Sequence, residues 1–290
     1  MVAQSYLASF VQGLKQLGWI EGQNVRIEVR WSPGDAALAK IYAAQLIGLQ
    51  PDAIFAATTP NLTAVREATS SVPIVFIQVS DPVEQGFAAS LTKPGGNLTG
   101  FSAYDFSTGG KWLDLLKEAA PQLSRACVLF DPDTSPQTKF FMRAIEAAAS
   151  TLGTQVVAVP VRTDAEIEPA LTNFAQQLNG GLILPTGAFE SLHLKPIADL
   201  TLSLRLPSIA ADSDFPKAGG LFSYSADVSY IELFRLAAGY VDRILKGAKA
   251  GDLPIQAPDR YKTVINLKTA KALGLTIPLS LVSLADEVIE

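Results

Sequence analysis

The chain has 290 residues, of which 48% are apolar and 18% charged, with a net charge of −5. A charged fraction below the usual quarter goes with extensive burial and argues against disorder or coiled coil. Acidic residues spread along the chain without a Lys/Arg block argue against nucleic acid as a partner, and no apolar run reaches the length of roughly 18 residues that a membrane span needs. Cys127 is the single cysteine and His193 the single histidine. An intramolecular disulfide and a zinc site of several Cys or His ligands are therefore both excluded, and no metal is expected. Cys127, inside the run Ala126–Phe130, reads as a buried inert thiol, and His193 as a surface or capping residue.

Tyr6, Phe10, Leu14 and Leu17 recur at helical spacing and predict a first helix that ends near Gly18. The residues ahead of it show no basic segment, long apolar stretch or small-residue cleavage site, so no signal peptide is read. Val25–Trp31 alternates apolar and charged residues as a half-exposed strand does. A helix from Asp35 to Leu49, the apolar run Ala53–Ala57, a helix from Pro60 to Ser70 and the run Pro73–Val79 follow. Next come a helix from Pro82 to Leu91 and a strand over Leu98–Ser102. The second half repeats the scheme, with helices over 109–119, 136–152, 164–178 and 188–205 and strands over 126–130, 155–161, 181–184 and 208–211. A helix over Val228–Lys246, a Pro-rich connection, a strand over Tyr261–Ile265 and a short helix over Asn266–Leu273 complete the chain. Short apolar strands between helices predict parallel sheets covered on both faces.

One internal echo organises this pattern. The segment from Pro73 and the segment from Pro207 both run through a strand, Ser-Asp, Gly-Gly and an aromatic-Ser pair: Ser80-Asp81 against Ser213-Asp214, Gly95-Gly96 against Gly219-Gly220, Phe101-Ser102 against Tyr224-Ser225. The expectation is two similarly wound α/β lobes with a hinged cleft between them.

In open parallel sheets ligands bind beyond the carboxyl ends of the strands. There the sequence places Thr58-Thr59-Pro60, Ser80-Asp81-Pro82 and Asp131–Pro136, with Thr59, Ser80-Asp81 and Ser135 read as helix caps. Ordinary capping explains each one singly; their clustering at one sheet edge favours anion-holding helix N-termini. Thr163–Glu166 reads as a structural capping box. Phe101, Tyr104 and Tyr224 are candidates for stacking on a ligand, while Phe106, Phe189 and Phe215 read as core. No Ser-His-Asp or Cys-His constellation, phosphate-binding Gly-rich loop or nucleophile elbow is present. No catalytic residue and no cofactor are expected.

The segments FVQGLKQLGWIEGQNVRIEVRW, VPIVFIQVSDPVEQGFAASLTKPGGNLTGFS and YVDRILKGAKAGDLPIQ…YKTVINLKTAKALGLTIP resemble the ABC-transporter substrate-binding family that includes the tryptophan/tyrosine-type binding proteins. The resemblance covers nearly the whole chain. It implies the type I periplasmic-binding-protein fold: two Rossmann-like lobes with parallel sheets joined by three crossovers. The lobes would be 1–102 with 226–255 and 103–225 with 256–290. It further implies capture of a small carboxylate-bearing solute, an amino acid or aromatic acid, and delivery to ABC permease subunits by a monomer in the periplasm or at the cell surface. By the same likeness Thr58, Thr59, Ser80 and Asp81 face Asp131, Thr134, Thr186 and Asp212, with Ser102, Tyr104, Tyr224 and Asp227 near the hinge. The first set would hold a carboxylate, and an Asp of the second an ammonium. Family members start with a signal peptide and an apolar strand before the helix near Val2, and neither is read here. An enzyme on the same scaffold, such as an acid-pair epimerase or a transferase, is the alternative, separated from a binding protein by turnover. A regulator's sensor domain is disfavoured because no helix-turn-helix is read.

Overall fold

The computed structural model describes residues 2–32 and 35–290. The chain divides into two compact units, 1–105 with 227–259 and 106–226 with 260–290, so it passes three times from one unit to the other.

The first unit opens with α1 (Val2–Gln16) and α2 (Ala36–Gly48), followed by β1 (Ile54–Ala57), α3 (Thr59–Ala68), β2 (Ile74–Val79) and β3 (Leu98–Ser102). The second unit carries α4 (Thr108–Ala119), β4 (Arg125–Phe130), α5 (Thr138–Leu152), β5 (Gln155–Pro160) and α6 (Asp164–Ala175). It continues through β6 (Gly180–Leu184), α7 (Ala188–Leu192), α8 (Leu194–Ser203), β7 (Ser208–Ala210) and β8 (Phe222–Ala226). The chain returns to the first unit for α9 (Tyr230–Leu245) and ends in the second with β9 (Tyr261–Asn266), α10 (Leu267–Ala272), α11 (Leu279–Leu284) and β10 (Glu287–Ile289).

In the first unit the sheet order is β1-β2-β3, all parallel, with Ile54 beside Ile74 and Ile74 beside Leu98. Period-two alternation divides its side chains between two cores. Val75, Ile77 and Phe55 pack with Phe10 and Leu14 of α1 and Phe234, Ala237 and Val241 of α9. Ile54, Ala56, Ile74 and Phe76 pack with Ala39 and Ala43 of α2 and Leu62 and Val65 of α3. Gly13 lets α1 close on α9, since a Cβ there would sit 2.9 Å from the Ala238 Cβ.

The second unit holds a sheet of order β10-β9-β8-β7-β6-β4-β5, parallel except where β9 runs antiparallel to β8. Cys127, Leu129, Leu182 and Leu184 face Ile167, Leu171 and Phe174 of α6 and Ile197 and Ala198 of α8. Burial pushes the Cys127 thiol up to about 12, the inert state expected of it. α4 and α5 meet through Gly109, whose Cβ would lie 2.7 Å from the Phe141 carbonyl, and through the Trp112 and Phe141 rings.

Several expectations are corrected. Val25–Trp31 pairs with no strand among the described residues and makes only an isolated bridge between Glu21 and Val25. Its alternation is nonetheless expressed: Ile27 packs on the core while Arg26, Glu28 and Arg30 form ion pairs outside it. Pro82–Leu91 is a set of turns instead of a helix, because Asp81 at φ 34° and Gly86 at φ 77° bend the chain within one turn. The helix expected over 188–205 is two helices broken at His193 (φ −113°, ψ 15°). His193 spans the break with its side chain, Nδ1 at 2.7 Å from the Phe189 carbonyl and Nε2 at 2.8 Å from Asp164.

Candidate functional site

In the first unit, parallel pairing aligns the carboxyl ends of β1, β2 and β3. The Thr58 N–H donates to the Ile77 carbonyl at 3.0 Å, Ala103 N–H to Val79 at 2.7 Å, and Asp81 N–H to Tyr104 at 2.7 Å. These bonds bring Thr58, Thr59, Ser80, Asp81, Ser102 and Tyr104 to one end of one sheet. Thr59, Ser80, Ser102 and Tyr104 are buried, while Thr58 and Asp81 are partly exposed.

Backbone strain marks the same end. Thr58 has φ 78° and ψ 154°, a region adopted almost only by glycine, and it does so as a β-branched residue. Asp81 stands at φ 34° and Gln78, beside a register shift in the β2/β3 ladder, at φ 56°. Thr58, not Thr59, is the residue that caps α3, and its side chain makes no capping bond, which leaves Pro60 in the first turn. Asp81 accepts from the Glu84 N–H at 3.0 Å, closing a turn where a helix cap was expected.

In the second unit β4, β6, β7 and β8 are successive neighbours, and the loops after the first three form a linked edge. Asp131 is buried, and its carboxylate accepts from the Asp133 N–H at 2.9 Å and the Thr134 hydroxyl at 2.7 Å. Gln137 donates through Nε2 to the Thr186 carbonyl at 3.0 Å, tying the β4 loop to the β6 loop. Asp212 accepts from Ser191 at 3.1 Å and from the Asp214 N–H at 2.9 Å. The half-buried Tyr224 ring stacks on Tyr261 at 5.1 Å, and its carbonyl accepts from the Trp112 indole. Asp227 is exposed where the chain re-enters the first unit. Phe101, in the core against Tyr240, and Tyr104 are each 4% exposed, so of the three stacking candidates only Tyr224 presents an open ring in this structure.

Two capping assignments fail in detail. Ser135 does not cap α5; its hydroxyl donates to Glu190, and Gln137 occupies the cap position. Thr163 makes no capping bond, and Glu166 accepts from the N–H of Arg162, one residue ahead of the cap, at 2.7 Å, so the reciprocal capping box is not formed.

Glu190 is the residue that sequence reading missed. It is 1% exposed, and burial pushes its carboxyl up to about 7, with the Asp131 charge adding in the same direction. The Asp131 N–H donates to its Oε1 at 3.0 Å and the Ser135 hydroxyl to its Oε2 at 2.8 Å. One sequence signal points to it: Gly187, three residues earlier, where a Cβ would lie 1.8 Å from Glu190 Oε2. The described residues contain no group of three or more His, Cys, Asp or Glu able to hold a metal ion.

The sequence model of a family described as ABC transporter substrate binding protein matches residues 4–289. A tyrosine-binding protein of Clostridioides difficile is 27% identical over 92% of this chain and 75% of its own length. A crystal structure of a conserved domain protein from Vibrio cholerae is 26% identical, with a TM-score of 0.85 over 98% of this chain and 94% of that one. An ABC domain from Streptococcus pneumonia in complex with L-Trp is also 26% identical, with a TM-score of 0.82 over 99% and 95% of the two chains.

Proposed function

The chain belongs to the ABC transporter substrate binding protein family, and we propose that it captures an aromatic amino acid, tryptophan or tyrosine, and delivers it unchanged to the permease of an importer. The type I periplasmic-binding-protein fold has two α/β units, each ending its parallel strands in polar loops. One ligand is held by both sets, brought together by closure about the three connections. The ligand carboxylate lies at Thr58, Thr59 and Ser80, where hydroxyls and the N-terminus of α3 converge. Its ammonium lies toward Asp131 or Asp212, whose oxygens have lone pairs left after their local bonds. Tyr224 offers a half-exposed ring to the aromatic side chain. The protein works in the periplasm or tethered at the cell surface, as a monomer. No helix among the described residues is long and apolar enough to cross a membrane.

The observation that carries this reading is Thr58: a β-branched residue held in glycine-only backbone at a strand's carboxyl end, a strain of about 1–3 kcal/mol of the kind that concentrates at binding sites. Relatives solved with L-Trp or named for tyrosine supply the ligand class. The test is a thermal-shift series with amino acids, aromatic acids and sugars, each hit recovered and checked for chemical change. Tryptophan or tyrosine at about 100 times its dissociation constant adds roughly 2.7 kcal/mol of stability. A shift with sugars alone, or consumption of the hit, overturns the proposal.

A further inference from the structure

Helix α7 touches all three candidate loops of the second unit. Gly187, just ahead of it, continues the β6 loop from Thr186; Ser191 holds Asp212; and Glu190 accepts from both ends of the Asp131–Ser135 segment. The Ser135 N–H in turn donates to the Asp131 carbonyl at 2.8 Å, so the segment is a closed turn standing on the Glu190 carboxyl. Space for that carboxyl exists only because residue 187 has no side chain: a Cβ there would meet Glu190 Oε2 at 1.8 Å and Ser135 Oγ at 1.9 Å.

We infer that Glu190 is a positioning residue for ligand capture: its buried carboxylate holds the Asp131–Ser135 turn in binding shape and makes this edge select a ligand carrying an ammonium group. The inference rests on the proposed placement of the ligand ammonium near Asp131. Glu190 accepts from the backbone N–H of Asp131, the residue whose own carboxylate charge bears on it. Their mutual repulsion is relieved by a cation at Asp131, so capture of an ammonium favours the ionised form of Glu190.

The other charged groups around Glu190 are already committed. On the β4 loop Asp133 accepts from Arg162 at 3.0 Å; at the start of α6 Asp164 lies 2.8 Å from the His193 Nε2; on the β7 loop Asp212 accepts from Ser191. Among the described residues no Lys or Arg forms an ion pair with Glu190 or Asp131. Asp131 is the charge that bears on Glu190, whose carboxyl burial pushes up to about 7.

The experiment is titration calorimetry of the full chain with L-tryptophan and L-tyrosine from pH 5.5 to 8, a range in which the free amino acids stay zwitterionic. A fall of one unit in the Glu190 pKa on binding makes capture about tenfold tighter at the upper end than at the lower. Glu190→Gln keeps the side-chain volume and an acceptor for the Asp131 N–H, so it binds with a flat pH profile. Glu190→Ala leaves that N–H and the Ser135 hydroxyl unpartnered and loses about tenfold or more in affinity. A merely structural Glu190 leaves the pH profile of Glu190→Gln like that of wild type, and that result overturns the inference while the binding function stands. A wild-type chain that binds neither amino acid overturns the proposed function and this inference together.

Discussion

Stability against pH tests the burial of Glu190 without any ligand. Its carboxyl is raised from 4.5 to about 7, chiefly because burial penalises the charge. A raised acid binds its proton more tightly in the folded chain than in the unfolded one. The resulting stability is fully present below about pH 4.5 and is lost as pH rises through about 7. At 1.36 kcal/mol per unit the loss is roughly 3 kcal/mol, on the order of 6–10 °C in Tm for a chain of this size. Glu28, Glu232 and Glu287 are shifted downward by hydrogen bonds from Arg26, Arg235 and Lys262. Depressed carboxyls add stability that disappears only as pH falls through their lower values, so they are silent between pH 5 and 8. The assay is the difference in Tm between wild type and Glu190→Gln across that window, a difference that cancels every other titration. It should move in favour of the variant as pH rises, with most of the change between about pH 5 and 7 and a plateau above 7. Parallel curves would refute the claim that this carboxyl is buried and unpaired by any cation.

Three substitutions probe other parts of the argument. Gly100→Ala puts a Cβ 2.0 Å from the Phe76 carbonyl at φ 154°, against backbone that cannot turn aside; loss of the β2/β3 ladder and an insoluble or unfolded chain are expected, and a soluble variant with native circular dichroism contradicts this. Phe10→Ala removes a 5%-exposed ring stacked on Phe55 at 4.6 Å and should cost about 3–5 kcal/mol in denaturant unfolding; a loss under about 1 kcal/mol shows that α1 does not depend on this contact. Thr58→Gly relieves the strained backbone and should raise stability by about 1 kcal/mol, net of the extra chain entropy of glycine. The same change removes a hydroxyl assigned to the ligand carboxylate and should weaken binding about tenfold or more. Unchanged affinity in Thr58→Gly removes Thr58 from the site.

The strands were readable because burial on both faces makes them continuous apolar runs, and the Pro73 and Pro207 segments both place a parallel neighbour after a non-helical connection. What failed was governed by longer-range geometry. Val25–Trp31 has the alternation of a strand, but alternation reports which side chains face the core and says nothing of where the backbone finds a partner. Asp81-Pro82-Val83-Glu84 has the chemistry of a helix start, and the positive φ of Asp81 and Gly86 diverts it into turns. Ser135 ahead of Pro136 reads as a cap, yet its hydroxyl is claimed by Glu190, 55 residues away. Glu190 itself, on a five-residue helix, has the pattern of a solvated side chain; its burial follows from the absence of a side chain at Gly187.

The candidate loops share one device that bears on affinity. After β2, Asp81 accepts from the backbone N–H three residues on; after β4, Asp131 accepts from the N–H two residues on; after β7, Asp212 does the same. Each loop is thus closed by its own carboxylate, and the second unit's loops are joined further through Glu190, Ser191 and Gln137. Ordering a loop on binding costs about 0.5–1.5 kcal/mol for each immobilised side chain, a cost these turns have already met in folding. A variant that opens a single loop, such as Glu190→Ala, should weaken binding while leaving the first unit's folding untouched.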